Sequence, residues 1–434
     1  MNFKYQRSRV IDFIHSLRHL LDTFWDNNYF YAVGIKIVTA VQFMVLVKLV
    51  ALNLSLADAG NFFLMYNAAL LVSALFFSTH SSAFLRYYSI VSDKFSLYKS
   101  VIEQLFIVTS MLMVIIILVY GYYKESIEYP VSLAYAASIG FLLILTTKFR
   151  VAGQFKQFFY LTLSQSLILA SLVVMCLLFL DLSSELIISC MAISIIFSLI
   201  YYAVFKRNSL QRVFQKTSDK KVSRALFLYG FPFVLVAVSN IIISTNGQFM
   251  LKHLGYTDEV GVYASNYNIG EKGVFIWLSL VIMVNIPKIY NAYESLGEIA
   301  AWRIIKNCMA ILCVCGGTLL VFTFFWSREL SVFFTSAEIA ELGHWIIPGT
   351  VVSAVLLGVC SLLAEPLLIA KKSQIVAFCY LTSSAVAVGS GYIFISKYGL
   401  VGAVISPVLS NIVFLLMLIL CINNTGVYAS EKNL

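Results

Sequence analysis

The chain has 434 residues, of which 60% are hydrophobic and 12% are charged, and its mean hydropathy is +0.89. An average soluble domain is roughly 45–50% apolar and about 25% charged, so a water-soluble catalytic domain is excluded. The net charge of +9 does not by itself indicate that the protein binds nucleic acid. In a membrane protein the positions of basic residues indicate first of all which loops face the cytoplasm.

Apolar runs long enough to span a bilayer follow one another along the chain. Each membrane helix needs about 20 apolar residues, and the runs between charged, Pro or Gly residues predict twelve spans. They lie near 30–50, 62–80, 101–123, 130–147, 159–180, 185–205, 226–250, 262–285, 304–326, 345–370, 374–396 and 400–422. The predicted fold is therefore an all-α integral membrane protein with two six-helix lobes, 29–205 and 226–422.

Three segments are expected outside the bilayer. Residues 1–28 have apolar side chains at helical spacing, which favours an interfacial amphipathic helix or, equally, a cytoplasmic helix packed under the bundle. Residues 206–225 form a basic linker. A cytoplasmic location next to anionic lipid headgroups explains its positive charge better than nucleic-acid binding does. Residues 423–434 form a tail.

The distribution of Lys and Arg predicts the orientation of the chain. If the N-terminus is inside, the cytoplasmic segments hold 23 of the 30 Lys and Arg residues and the opposite loops hold four. Because basic residues accumulate in cytoplasmic loops, both termini are expected in the cytoplasm.

An internal repeat relates the two halves. A shift of 201 residues aligns 58–62 with 259–263, and then Tyr66-Asn67 with Tyr267-Asn268. The shift spans six helices, so both copies have the same membrane orientation. This is typical of parallel repeats about an axis along the membrane normal.

The eighth span carries a polar stripe. Gly261, Ser265, Asn268 and Lys272 follow at steps of four, three and four, which places them on one helical face. We expect this face to line a polar cavity, with Lys272 contacting substrate in preference to a structural ion pair. Its neighbour Glu271 points about 100° away around the helix and is a candidate for ion coupling.

The seventh span repeats this pattern. Asn240, Ser244 and Gln248 lie on one face with Gly247, and Asn246 lies nearby. Two facing stripes would enclose a hydrated cleft, but hydrogen bonding between helices explains the same residues equally well.

Other polar residues within or next to spans complete the candidates for substrate and ion binding. They are Lys36 and Gln42 in the first span, Asn67 in the second, Arg86 just beyond it, and Glu365 in the tenth. For Lys36, snorkelling is an equal alternative, and for Glu365 a local pair with Lys371 or Lys372 is favoured over ion coupling. Lys48 is interpreted as an interfacial anchor. No nucleotide-binding, metal-binding or catalytic motif is present, and no cofactor is expected.

Short motifs in the second half resemble a known family. Tyr229-Gly230-Phe231-Pro232 leads into the seventh span, Leu254-Gly255-Tyr256 and Val260-Gly261-Val262-Tyr263 open the eighth, and the segment 397–403, KYGLVGA, opens the last. These motifs are similar to those of the Wzx-type flippases of lipid-linked oligosaccharides. That family shares a superfamily with the MATE drug exporters and the lipid II flippases. The sequence departs from the family pattern at Gly247-Gln248-Phe249, where members often have an Asp-Arg-Tyr/Phe-like triplet. Any role that the acid and the base of this triplet have in the family therefore cannot be transferred to this chain.

The resemblance implies a V-shaped, MATE-like pair of bundles in the bacterial inner membrane. It implies export of undecaprenyl-diphosphate-linked oligosaccharide to the outer leaflet for O-antigen or other surface polysaccharide. A proton or sodium gradient, not ATP, would drive transport, and a polysaccharide polymerase and chain-length machinery would be partners. The alternative is a MATE-like cation-coupled exporter of drugs or metabolites. A polymerase or membrane glycosyltransferase is disfavoured because the longest outer loop, near 327–344, is short.

Overall fold

The structure is a computed structural model that describes residues 27–91, 94–122, 128–205, 220–370 and 372–425. In these ranges the chain forms twelve long helices and one short one, which confirms the all-α expectation. The helices are α1 (Asn27–Asn53), α2 (Leu56–Ile90), α3 (Lys94–Tyr122), α4 (Glu128–Val151), α5 (Phe155–Phe179), α6 (Ser184–Phe205), α7 (Lys220–His253), α8 (Thr257–Leu296), α9 (Glu298–Phe334), the short α10 (Ala337–Gly343), α11 (Ile346–Ile369), α12 (Ser373–Tyr398) and α13 (Leu400–Thr425).

The extramembrane predictions fall mostly outside these ranges. Residues 1–26, 206–219 and 426–434 lie outside the described part, and with them most of the N-terminal segment, the basic linker and the tail. Helix α7 begins at Lys220, so the last six residues of the stretch 206–225 are helical and extend the seventh span.

Eleven of the twelve long helices are apolar enough to cross a membrane on composition alone. The twelfth, α8, has 40 residues and a length of about 60 Å at 1.5 Å per residue, which exceeds a bilayer. Its polar residues include Asn266, Asn268, Glu271 and Lys272. The one long helix that does not meet this test therefore carries polar and charged side chains along its middle.

Each half of the chain builds a core of its own. Helices α1, α2, α4, α5 and α6 share one apolar cluster, to which α8 adds only Ala264, and α7, α11, α12 and α13 share another. Many large apolar side chains on the outer faces stay exposed, such as Phe106 at 74% and Leu178 at 71%. Exposed apolar bands around buried cores are what a bilayer-embedded pair of bundles requires.

The end of the molecule at which α1 begins is called the inner end, and the opposite end is called the outer end.

The repeat seen in the sequence is also present in the helix order. Helices α2 and α8 begin at Leu56 and Thr257, which are 201 residues apart, whereas α4 and α11 begin at Glu128 and Ile346, 218 apart. The extra residues in the second half include the short helix α10.

The repeat-related glycines Gly60 and Gly261 meet where α2 crosses α8. A Cβ on Gly60 would lie 3.1 Å from the backbone nitrogen of Gly261, and a Cβ on Gly261 would overlap the carbonyl oxygen of Leu56. Small residues let helix backbones approach closely in membranes, where van der Waals packing drives association. Repeat-related residues of the two halves are therefore in direct contact at this crossing.

Substitution of Gly261 by leucine is expected to destabilise the contact between the lobes by about 1–3 kcal/mol, because the side chain has no space at the crossing. The measurement is the Tm of the purified protein in detergent. Gly317→Leu is the matched control, since a Cβ on Gly317 meets nothing within 4 Å. Equal Tm values for the two variants would contradict the close crossing.

Many polar side chains within the second lobe join its own helices. Ser383 and Ser410 connect α12 to α13 with their hydroxyl oxygens 2.8 Å apart, and Asn411 Nδ2 donates to the carbonyl oxygen of Ser353 at 3.0 Å. Such hydrogen bonds are ordinary contacts between membrane helices. Polarity in a span is therefore not by itself a sign of a substrate site in this protein.

Candidate functional site

The polar stripe of α8 is mostly buried in helix packing, contrary to the expectation that it lines a cavity. Gly261 lies at the crossing with α2, Ser265 is fully buried, and Asn268 is 5% exposed. The Asn268 Nδ2 atom donates to the carbonyl oxygen of Ala264 in its own helix at 2.7 Å. The Ser265 hydroxyl is buried with no described hydrogen-bond partner. Small side chains suit a tight helix contact, so only the end of the stripe at Lys272 remains accessible.

Lys272 forms an ion pair with its sequence neighbour. Its Nζ lies 2.9 Å from Glu271 Oε2, and the two side chains are 31% and 10% exposed. Adjacent helical residues leave the axis about 100° apart, but the flexible four-carbon stem of lysine spans that angle. The sequence favoured substrate contact over an ion pair for Lys272. The structure shows the ion pair, and it leaves part of the lysine exposed.

Aromatic side chains of the first lobe face this ion pair. Lys272 Nζ lies 5.3 Å from the ring centroid of Phe43, within the range of a cation–π contact. The ring of Tyr66 lies 5.7 Å from Phe43 and 6.0 Å from Tyr135, and Tyr66 interacts electrostatically with both Lys272 and Glu271. Helices α1, α2, α4 and α8 thus bring a charge pair and three rings together between the lobes.

The candidate residues of α7 are divided among different contacts. Gln248 Oε1 accepts a hydrogen bond from Asn67 Nδ2 at 2.6 Å, which joins α7 to α2 across the lobes. Asn246 Nδ2 donates to the carbonyl oxygen of Ala387 in α12 at 2.8 Å, inside the second lobe. The predicted pair of facing stripes is therefore not formed as a unit.

Asn240 and Ser244 are the half-buried residues of the same α7 face. The Ser244 hydroxyl donates to carbonyl oxygens of its own helix. No described residue forms a hydrogen bond with the side-chain amide of Asn240.

Two cations lie at the inner end of the first lobe. Lys36 in α1 is half-buried and lies within electrostatic range of Arg150 in α4. Arg150 is exposed, and its Nη2 atom donates to Thr147 Oγ1 at 3.2 Å. Ser81 in α2 completes the chain of polar groups, with its hydroxyl oxygen 2.8 Å from Thr147 Oγ1. Within the described ranges, neither cation is paired with a carboxylate.

Most carboxylates of the described helices of the first lobe lie at its outer end. Helices α1 and α5 contain none, and α2, α4 and α6 each contain one, in the first turn at the outer end. Those three are Asp58, Glu128 and Glu185. Helix α3 holds Glu103, whose Oε1 lies 3.6 Å from Lys99 Nζ. Among the described residues, the inner half of this lobe therefore carries more basic than acidic side chains.

The remaining candidates have separate positions. Gln42 accepts a hydrogen bond from the Ser166 hydroxyl and so joins α1 to α5. The side chain of Arg86 lies outside the described part of the structure. Glu365 is half-buried in α11 and has no hydrogen bond or salt bridge to any described residue. The expected pair of Glu365 with Lys372 is therefore not formed, and Lys371 lies outside the described ranges.

Lysines also join the lobes at the outer end. Lys252 Nζ donates to Asn61 Oδ1 at 2.8 Å, from α7 to α2. Lys48 in α1 donates to the carbonyl oxygens of Val332, at 2.8 Å, and Thr335, at the end of α9. A cation is favourable at a helix C-terminus because free carbonyl groups gather there. Lys48, expected to be an interfacial anchor, instead links α1 to the other lobe.

Sequence reasoning missed Arg150 and the group of rings formed by Phe43, Tyr66 and Tyr135, which is called the aromatic wall below. In the sequence Arg150 is one more basic residue of a cytoplasmic segment, although its position at the end of the fourth span is visible there. Tyr66 stands out only as a repeat partner of Tyr267, and Phe43 and Tyr135 carry no sequence signal that separates them from core aromatics.

Comparison with known proteins gives matches in structure alone. No protein-family model matches the sequence, and no curated protein matches it. An outward-facing multidrug resistance MATE family transporter of the MOP superfamily aligns with a TM-score of 0.69 and 16% identity, over 91% of this chain and 94% of that one. An inward-facing structure described in the same terms aligns with a TM-score of 0.66 and 14% identity, over 93% and 96%.

A third match is a MOP superfamily transporter from Pyrococcus furiosus, described as having a binding pocket of reverse polarity that suggests a different function. It aligns with a TM-score of 0.61 and 16% identity, over 92% of this chain and 95% of that one. At these identities the alignments establish the fold. The chain is therefore a multi-pass membrane protein with the fold of the MATE transporters of the MOP superfamily.

Proposed function

We propose that the protein is a flippase that moves undecaprenyl-diphosphate-linked oligosaccharide from the cytoplasmic to the outer leaflet of a bacterial inner membrane. Its product would supply the synthesis of O-antigen or another surface polysaccharide. The observation that carries this proposal is the pair Lys36 and Arg150, which has no carboxylate partner among the described residues. A lobe whose inner half has more basic than acidic side chains among the described residues favours an anionic substrate that arrives from the cytoplasmic side.

A diphosphate matches this charge distribution. Hydrogen bonds between Arg or Lys and phosphate oxygens are charge-assisted and roughly twice as strong as neutral ones. The guanidinium of Arg150 can bind two oxygens at once, whereas Lys36 acts as a point charge. The exposed part of Lys272 and the half-buried side chains of Asn240 and Tyr66 supply further polar groups for phosphate or sugar.

The transport step needs no covalent chemistry. A sugar headgroup that entered hydrocarbon would lose its hydrogen bonds to water, at several kcal/mol per group. Two lobes that separate first at the inner end and then at the outer end would keep the headgroup in a polar cleft throughout. In that cycle the outer contacts of Lys252 with Asn61, and of Lys48 with α9, must break.

The second candidate is a cation-coupled exporter of drugs or metabolites. The aromatic wall of Phe43, Tyr66 and Tyr135 beside Glu271 favours it, because aromatic rings and a carboxylate attract organic cations. Glu271, however, is already neutralised by Lys272 at 2.9 Å. Glu365, which has no described partner, would be the site of proton or sodium coupling in either case.

The test uses purified protein in sealed vesicles that contain radiolabelled undecaprenyl-diphosphate-N-acetylglucosamine. A membrane-impermeant pyrophosphatase added outside hydrolyses the diphosphate and releases N-acetylglucosamine 1-phosphate from the outer leaflet only. We expect release of about half of the label from empty vesicles and nearly all of it when the protein exchanges lipid between leaflets. A cationic dye in parallel vesicles tests the exporter. Dye transport without lipid exchange would reject the flippase.

A further inference from the structure

Two pairs of cysteines are in contact, one in the last two helices of each lobe. In the first lobe Cys176 Sγ of α5 lies 3.6 Å from Cys190 Sγ of α6. In the second lobe Cys379 Sγ of α12 lies 3.8 Å from Cys421 Sγ of α13. All four side chains are free thiols in the structure. Because each pair joins the last two helices of its lobe, the two pairs are matched sites for the same chemistry.

The two pairs lie at opposite ends of the molecule. Cys176 is three residues before the end of α5 at Phe179, where the chain turns at the outer end. Cys421 is four residues before the end of α13 at Thr425, where the chain has returned to the inner end. With both termini in the cytoplasm, as the distribution of Lys and Arg predicts, only the pair Cys176–Cys190 lies on the periplasmic side.

The redox conditions on the two sides of the membrane differ. Disulfides form and persist in the bacterial periplasm, whereas glutathione and thioredoxin keep cytosolic thiols reduced. The sulfur atoms of Cys176 and Cys190 are 3.6 Å apart, and a disulfide bond brings them to about 2.05 Å. Modest rotations about the two Cα–Cβ bonds supply this shift, so the helices need not move.

Helix α5 has few other attachments to its lobe. Only five of its 25 residues are buried, and Cys176 is the last of them toward the outer end. Among the described residues, its one side-chain hydrogen bond to another helix joins Ser166 to Gln42. Helix α12 buries nine residues, and its Ser383 also bonds to Ser410 of α13. A covalent link therefore adds more to the attachment of α5 than it would to that of α12.

We propose that Cys176 and Cys190 form a disulfide bond in the cell, and that Cys379 and Cys421 remain thiols. This proposal does not depend on which substrate the protein transports. The finished core buries Cys176 and Cys190, which are 9% and 4% exposed. The reaction therefore precedes the packing of α5 and α6 against the rest of the lobe.

The oxidant is a protein disulfide in the periplasm. The thiolate of one cysteine attacks this disulfide, a mixed disulfide forms, and one sulfur of the oxidant leaves as a thiolate. The thiolate of the other cysteine attacks the mixed disulfide, which forms the Cys176–Cys190 bond and releases the second sulfur of the oxidant. Two electrons pass from the cysteines to the oxidant. The two protons that the cysteines lose are taken up by the oxidant, which leaves as a dithiol.

Differential thiol labelling of the whole chain in a Gram-negative bacterium tests the proposal. Cells are quenched in acid, and free thiols are blocked with N-ethylmaleimide under denaturing conditions. Disulfides are then reduced, and the new thiols are labelled with deuterated N-ethylmaleimide. Chymotrypsin cuts after Leu177 and Phe179 and so separates Cys176 from Cys190. Mass spectrometry measures the two labels at each cysteine.

We expect the deuterated share to be about tenfold or more higher at Cys176 and Cys190 than at Cys379 and Cys421. In a sample digested without reduction, one disulfide-linked peptide should contain Cys176 and Cys190. Ordinary label at both of these positions would overturn the proposal. Deuterated label at Cys379 and Cys421, with or without the outer pair, would also overturn it.

Two variants serve as matched controls. Cys176→Ala leaves Cys190 without a partner, so Cys190 should then carry the ordinary label. Cys379→Ala removes one thiol of the inner pair and should leave the deuterated label at Cys176 and Cys190 unchanged. Deuterated label at Cys190 in Cys176→Ala would show that Cys190 is oxidised by another partner, which rejects the proposed bond.

Discussion

Replacement of both Lys36 and Arg150 by alanine is expected to reduce the rate of lipid exchange about a hundredfold or more, since each charged hydrogen bond contributes about 1.5–3 kcal/mol. The two cations have no carboxylate partner among the described residues, so their removal leaves no buried acid uncompensated. The protein should remain folded, with an unchanged Tm. The measurement is the rate at which the labelled lipid becomes accessible to the external pyrophosphatase in the vesicle assay.

Two further variants distinguish a role of these cations in substrate binding from a general effect of positive charge on the lobe. Lys156→Ala removes a positive charge from an exposed position at the same end of the same lobe and should exchange lipid at the normal rate. Lys36→Arg keeps the charge and should retain most of the rate. If the double alanine variant exchanges lipid as fast as Lys156→Ala, the cation pair does not bind the substrate.

Removal of Lys272 is expected to destabilise the protein because it leaves Glu271 unpaired at 10% exposure. Breaking a fully buried ion pair costs about 3–5 kcal/mol. Because the lysine side chain is 31% exposed, water screens part of this interaction, and about 2 kcal/mol is expected for Lys272→Met. The measurement is the Tm of the purified variant in detergent.

The double variant Glu271→Gln with Lys272→Met tests whether the lysine has a second role. It removes both charges at nearly constant shape, so stability should return close to that of the unmodified protein. If Lys272 also contacts the diphosphate, lipid exchange should stay about tenfold low despite the restored Tm. Full lipid exchange in the double variant would show that the pair is structural only.

Several features of the fold were predictable because they are local. Twelve apolar runs became twelve long helices, since a bilayer requires every backbone group of a spanning segment to be bonded within the segment. The repeat offset of 201 residues reappears in the starts of α2 and α8. Helix ends were less predictable. Helix α7 begins at Lys220, inside the stretch 206–225 that was predicted to be a linker.

The candidate site was predictable only in part. Periodicity placed Ser265, Asn268 and Lys272 on one face of α8, but it could not tell whether that face meets water or another helix. The contact of Gly261 with α2 decided the question and buried most of the stripe. The same uncertainty applied to Asn246, which joins two helices of one lobe.

The sequence alone determined that this chain is a membrane protein with twelve long helices in two related halves, because hydropathy and period are properties of each segment. Only the tertiary structure decided which polar residues are accessible. Lys272 pairs with Glu271 although the two residues leave the helix about 100° apart. The aromatic wall faces Lys272 from another helix, and Lys36 and Arg150 come from two different helices. Such contacts depend on how the helices pack, which no single segment encodes.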